Sequence, residues 1–400
     1  MTRPLAFRGQ VILPDRIVRG TVVTRDGKVA AILAEADTVP ADATLIDAGD
    51  GYVSPGFIDL HVHGGDGGDF MDGTVDSFQK GVRSHLRHGT TRMAITTTVA
   101  THEHIMATLG LTREFRLRPD PHGARVLGAH FYGPYFRYEA RGAHPGGPIR
   151  PPVEHEFLQY LTFAEDLVTA TIAPEIPGAK EFTLACTERG VRTNVGHSWA
   201  TFDQMTDAIQ WGVRHVDHLF CAMSDKTRLR QFQMYPMQGG VLEATLYYDE
   251  LTTEVIADGK HLDAGLLKLA LKIKGPDRLA LVTDCSRALD MPDGDYLIGP
   301  MDGGEPIMKR DGVGMMPDGK ALGSSVEGMD HMIRTFIELT GAPLWLAIRM
   351  ASLTPARIAG RAHDLGSLEV GKQADVVLFD RALNVQRVFI DGAEVEQKKR

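Results

Sequence analysis

Two patterns of apolar and polar positions divide the chain. Both ends carry short alternating runs bounded by Gly and Asp: Gln10–Leu13, Arg19–Thr24 and Lys28–Ala34 near the start, and Gly366–Val395 near the finish. Alternation with a period of two predicts half-buried strands, and Asp26-Gly27 and Asp391-Gly392 predict tight hairpin turns. Between these ends, continuous β-branched runs alternate with helical patterns. Eight strands are expected: Val53–Val62, Arg92–Thr98, Arg125–Tyr132, Val168–Ala173, Val191–Val195, His215–Phe220, Thr252–Ala257 and Leu279–Thr283. Helix-like stretches lie between them, at Asp76–His88, Ala179–Arg189, Thr201–Gly212 and Leu262–Ile273. Unbroken apolar strands separated by helices read as parallel βα units, and eight of them fit a (β/α)8 TIM barrel better than an open sheet. The expected architecture is α/β. A small β-sandwich domain is built from residues 1–53 and 361–400, and the barrel spans residues 54–360.

Composition narrows the classes without choosing a function. The 400 residues are 43% hydrophobic and 24% charged, the balance of an ordinary globular protein. A formal charge of −9 disfavours non-specific nucleic-acid binding but leaves small anionic substrates open. Cys186, Cys221 and Cys285 are far apart and form no CxxC, which argues against a disulfide scaffold and for a reducing compartment. No apolar run approaches a membrane span, and the N-terminus lacks a signal-peptide core, so a cytoplasmic location is expected.

The chemistry gathers where a barrel puts it, at the C-terminal ends of the strands. His61 and His63 close the first strand. His197 follows the fifth, His218 lies near the end of the sixth, and Asp284 ends the eighth. Residues two apart on a strand share a face, so His61 and His63 can aim at one ion. Imidazole and carboxylate donors suit Zn²⁺ or another first-row divalent metal, which lowers the pKa of a bound water to near 7. Asp284 is the candidate for taking that water's proton. The His102-Glu103-His104 triplet mimics a metal motif but falls in a polar stretch, and it reads as surface.

With these motifs in view, the chain resembles the amidohydrolase superfamily and, within it, the N-acetylglucosamine-6-phosphate deacetylases. PGFIDLHVHG (Pro55–Gly64) and GSLEVGKQADVVLFD (Gly366–Asp380) carry the superfamily resemblance. GAHPGG, APE, VGHSWAT, HLFCAMS, IADGKHLD and LVTDCSRALDMPDGDY carry the narrower one. The resemblance implies a small-molecule substrate and metal-dependent removal of an acetyl group from an amino sugar. It makes His197 and His218 metal ligands and Asp284 the general acid and base. His144 would polarise the substrate carbonyl. Cys221, Ala222, Leu322 and Gly323 would contact substrate, and His261 would reach a neighbouring subunit's substrate in a homodimer.

Two positions depart from that family's pattern. Where the family has a metal-ligating Glu after the third strand, this chain has Tyr132, a poor Zn²⁺ ligand that could donate a hydrogen bond to a tetrahedral intermediate. Three readings follow. A single ion could sit on His61, His63, His197 and Asp284, with His218 orienting water or substrate. It could instead stay on His197 and His218, completed by water or Tyr132. Or catalysis could be lost and a binding module remain. The second departure is the segment after HLFCAM, which lacks the family's phosphate-gripping Arg at its usual place. Arg228 and Arg230 are the candidate replacements. Cyclic-amide opening and deamination remain alternative reactions.

Overall fold

The computed structural model describes residues 3–396. Eight parallel strands form one sheet in sequential order: β1 (Phe57–Val62), β2 (Thr90–Thr96), β3 (Arg125–Phe131), β4 (Leu167–Ile172), β5 (Arg192–Val195), β6 (Val213–Val216), β7 (Thr252–Ile256) and β8 (Leu279–Val282). The first and eighth strands are joined at the mouth. His63 N donates to Cys285 O at 2.8 Å, and Asp284 N donates to His61 O at 2.8 Å. The sheet is therefore a closed barrel. β1 and β8 are buried along their whole length; β8 is accordingly an unbroken apolar run, while β1 interrupts its apolar residues with Asp59 and His61. The four expected helices are present at Val75–Arg87, Ala179–Glu188, Phe202–Trp211 and Ala264–Lys274. Among the described residues, no helix is long and apolar enough to cross a membrane.

Packing follows the periodicity. Met329, Met332, Ile333 and Phe336 recur at helical spacing on Met329–Thr340 and are buried in one cluster with Leu279, Ala280, Leu281 and Val282. Each such side chain contributes roughly 1.5–3 kcal/mol when removed from water.

The two chain ends form a second sheet of seven strands. From one edge the order is Ala393–Glu394, Val385–Ile390, Val376–Phe379, Thr44–Pro55, Leu5–Ile12, Ile17–Arg25 and Lys28–Ala34. This sheet folds over on itself. Phe7 and Phe389, on strands separated by two others, meet with ring centroids 4.7 Å apart. Both expected turns use left-handed backbone at Asp26-Gly27 and Asp391-Gly392, the geometry that matches strand twist.

Three details differ from the sequence reading. The expected first strand, Val53–Val62, is two strands. Thr44–Pro55 belongs to the terminal sheet, and Phe57–Val62 to the barrel. Gly56 sits at the crossing, where a Cβ would lie 2.2 Å from Thr91 Oγ1. The sixth strand stops at Val216 rather than reaching Phe220, because His218 and Phe220 adopt positive φ values (24° and 77°) that cannot continue a strand. Finally, an antiparallel sheet (Gly294–Ile298, Glu305–Arg310, Val313–Met315, Leu322–Ser324) is inserted after β8. Its last strand carries Leu322 and Gly323.

Candidate active site

The pleat of β1 sets the first half of the site. Leu60 and Val62 pack into apolar clusters, while Asp59, His61 and His63 alternate with them. His63 Nε2 lies 3.2 Å from Asp284 Oδ1, and His61 Nε2 lies 3.5 Å from the same oxygen. Donor atoms of these three residues all fall within 4.8 Å of one another. His61 Nε2 is buried and has no hydrogen-bond partner. Its other nitrogen, Nδ1, lies 2.6 Å from Glu254 Oε1. A carboxylate behind a histidine fixes the ring and aims the second nitrogen outward, the usual arrangement behind a metal ligand. An orphaned imidazole nitrogen, a second imidazole and a carboxylate are a donor set that fits a divalent cation, with room for water on the cavity side.

The electrostatics agree with that fit. Burial works against charge on His61, yet Asp284 and Glu254 lift it to about 10. Burial also opposes ionisation of Asp284, but His61 and His63 hold its carboxyl far below the usual range. Two ionised carboxylates beside an imidazole require positive charge at this point, from a proton on His61 or from a cation that displaces it.

The second half of the site comes from β3, β5 and β6. Tyr132 is pinned at the end of β3, where its N–H donates to Thr97 Oγ1 at 2.8 Å. Its hydroxyl lies 2.6 Å from His218 Nε2 and also hydrogen-bonds His197 Nε2. The two histidine Nε2 atoms are 3.2 Å apart. His197 thus does not join the group of His61, His63 and Asp284, where it was expected as a fourth ligand; it stands with Tyr132 and His218. Tyr132 directs its proton into this cluster, so its hydroxyl is already engaged. Burial pushes both imidazoles down, His197 to about 3, and keeps the phenol protonated. His197, His218 and Asp284 all hold left-handed backbone, with φ of 47°, 24° and 49°. Strain of this kind, of order 1–3 kcal/mol per residue, persists where the surroundings over-determine the conformation.

One cavity of about 520 Å³ unites the parts. Its wall includes His63, Tyr132, His144, His197, His218 and Asp284, together with Cys221, Ala222, Arg228, His261, Leu322 and Gly323. His61 lies beneath the floor. His144 Nδ1 is 2.5 Å from Thr98 Oγ1. With that hydroxyl donating, the ring's proton resides on Nε2. Burial pushes His144 well below the ordinary histidine value, so the ring is neutral. Arg228 and Arg230 are both exposed, but only Arg228 lines the cavity, with its guanidinium 4.9 Å over the Trp199 ring. His261 is held by Asp258 at 2.7 Å and lines this chain's own cavity. Burial raises the Cys221 thiol to about 12, which leaves it an inert neighbour. His102 bonds Tyr160 Oη at 2.9 Å at the start of its helix, away from the cavity.

The sequence reading missed Glu254, Asp217, Thr98 and Trp199. Glu254 had a signal: a lone carboxylate inside the apolar strand Thr252–Ile256 is rarely buried without a partner. Behind the site, His215, Asp217 and Glu254 form another compact group. Hydrogen bonds already fill it, since Thr171 and Asn194 donate to Asp217 and His215 meets Glu254. It braces the site and leaves no open ligand position.

A closed parallel barrel with histidines and a carboxylate converging at the C-terminal mouth defines a TIM barrel with a metal-competent centre where such barrels carry their chemistry. Comparisons with known proteins carry this further. Residues 52–395 match the amidohydrolase family, and the chain belongs to it. It is 34% identical over 368 residues to an N-acetylgalactosamine-6-phosphate deacetylase of Escherichia coli O157:H7, covering 92% of each chain. It is 31% identical over 390 residues to an N-acetylglucosamine-6-phosphate deacetylase of Vibrio furnissii, covering 96% of this chain and 94% of that one. Among solved structures, the N-acetylglucosamine-6-phosphate deacetylase of Pasteurella multocida superposes with a TM-score of 0.89 at 30% identity, covering 98% of this chain and 99% of that chain. A mutant of the Mycobacterium smegmatis enzyme, solved in complex with N-acetyl-D-glucosamine-6-phosphate, gives 0.88 at 30% identity, covering 98% and 100%.

Proposed function

We propose that the protein is a metal-dependent deacetylase of an N-acetylated amino sugar carrying a 6-phosphate, of the N-acetylglucosamine or N-acetylgalactosamine series. One observation carries the reading: a single cavity is lined by members of a metal-competent group, a neutral histidine and an arginine, the side chains that an acetamide and an anion on one small molecule would need. The relatives' names support the substrate class.

His61, His63 and Asp284 would hold one divalent ion, which we take to be zinc. Such an ion lowers the pKa of water at the site to near neutrality. Asp284, ionised and facing the cavity, takes the proton from the attacking water and returns it to the nitrogen as the C–N bond breaks. His144, with its proton on Nε2, donates to the carbonyl oxygen as charge develops there. Arg228, steadied over Trp199, receives the phosphate. Cys221, Ala222, Leu322 and Gly323 shape the sugar's surroundings. His261 completes the substrate end in a homodimer, and the enzyme works in the cytoplasm.

Acetate release from N-acetylglucosamine, N-acetylgalactosamine and N-acetylmannosamine, each with and without 6-phosphate, tests the reading. A preference for a phosphorylated member by at least about tenfold in kcat/KM, equivalent to about 1.4 kcal/mol, is expected. No acetate from any of the six by zinc-loaded protein sinks it.

A further inference from the structure

We propose that the Tyr132 hydroxyl occupies a cation seat between His197 and His218 and closes it, so that these two histidines serve as a neutral wall of the cavity. The inference refines the metal-dependent reading above, on which it rests, by saying where an ion does not go.

The spacing of the imidazoles shows that a seat exists. Their Nε2 atoms are 3.2 Å apart, both buried and both turned to one point. Two nitrogens bound to one tetrahedral zinc at about 2.0–2.1 Å stand about 3.4 Å from each other. An ion serving both would lie about 2 Å from each. Tyr132 Oη lies 2.6 Å from His218 Nε2 and in hydrogen-bond contact with His197 Nε2. Oxygen and ion therefore compete for the same place.

Proton assignment leaves no lone pair for a metal between them. His197 Nδ1 lies 2.7 Å from the carbonyl oxygen of Ala140, which can only accept. Nδ1 therefore carries hydrogen, and Nε2 offers its lone pair. Tyr132 donates its hydroxyl proton to that lone pair. Its oxygen then accepts from His218, whose proton must sit on Nε2. His218 Nδ1, buried with no hydrogen-bond partner, is left with a lone pair and no proton to strand. The chain runs from His218 through Tyr132 and His197 to Ala140 with every proton used once. A closed chain of this kind is stable only without a cation, because zinc needs unprotonated nitrogen on both rings. By contrast, His61 Nε2 has no hydrogen-bond partner at all.

The test is zinc content by mass spectrometry after loading with excess zinc and desalting, with circular dichroism to confirm folding. Wild type is expected to hold one equivalent, and His197→Asn to hold one still. Tyr132→Glu, which replaces the phenol with a good ligand, is expected to hold two. Adding His197→Asn to Tyr132→Glu should return the count to one. Two equivalents in wild type, loss of zinc in His197→Asn, or a folded Tyr132→Glu protein that gains none would each overturn the proposal. A wild type with no zinc beside a Tyr132→Glu variant with one would support the closed seat and sink the metal-dependent reading instead.

Discussion

Two trios of side chains face each other across the barrel mouth, and they differ in one functional group. His61 and His63 meet the carboxylate of Asp284, while His197 and His218 meet the phenol of Tyr132. All six side chains are buried except Asp284, which is half-buried, and both trios come from strand ends. Yet the first leaves an imidazole nitrogen without a partner, and the second ties both facing nitrogens to one hydroxyl. An ionised carboxylate accepts and never donates, so the first trio carries negative charge that a cation can balance in place of the imidazole proton. A phenol at neutral pH does both, so it can complete a proton-ordered chain that needs no ion. The same pair of histidines is a ligand pair or a wall according to its third member.

The largest expected effect breaks the first trio. Asp284→Asn should lower kcat by about 10³–10⁴, the usual weight of a general acid–base group near the top of its range. It should also reduce the zinc content of the desalted protein. Retention of more than a tenth of wild-type turnover would remove Asp284 from the chemistry.

A smaller effect is expected one layer deeper. Glu254 orients His61 through Nδ1 at 2.6 Å and also meets His215 and the His218 N–H. Glu254→Gln preserves size and much of the hydrogen bonding but removes the charge behind the ligand. Zinc affinity, read by competition with a chelating dye, should fall about 10–100-fold. Unchanged affinity with an intact fold would show that Glu254 only braces the barrel.

His88 sharpens the comparison from outside the cavity. Its nitrogens lie 2.8 Å from Asp330 and 3.2 Å from Asp290, so both are tied to carboxylates, whereas His61 Nε2 has no hydrogen-bond partner. Burial opposes that charge, but Asp290 and Asp330 raise His88 to about 9. Because the folded value lies above the unfolded one of about 6.5, the stabilisation is complete below pH 6.5 and fades as pH rises through 9. His88→Gln should therefore cost about 2 kcal/mol at pH 6 and progressively less toward pH 10, measured by urea unfolding. A penalty that stays constant across that range would show that packing, not charge, is what His88 supplies.

Much of this architecture was legible in the residues alone. Period-two runs at both ends marked the terminal sheet, and unbroken apolar runs separated by helical patterns marked the barrel. Both depend on burial, which each residue type reports locally. Strand-end histidines pointed to the mouth, and the i, i+2 spacing of His61 and His63 placed them together, because a strand's pleat is a property of the chain itself. What the residues could not state is who meets whom across strands. His197 and His61 are equally good ligands on paper. Only the register of β3, β5 and β6 brings Tyr132 between His197 and His218, and only barrel closure brings Asp284 to His61 and His63. Arg228 and Arg230 were indistinguishable until a short helix placed only Arg228 along the cavity. Local pattern fixes an element's period and its buried face. Contacts between residues far apart in the chain depend on how all the elements pack at once, so the tertiary structure alone decided which histidines face an open position and which face a phenol.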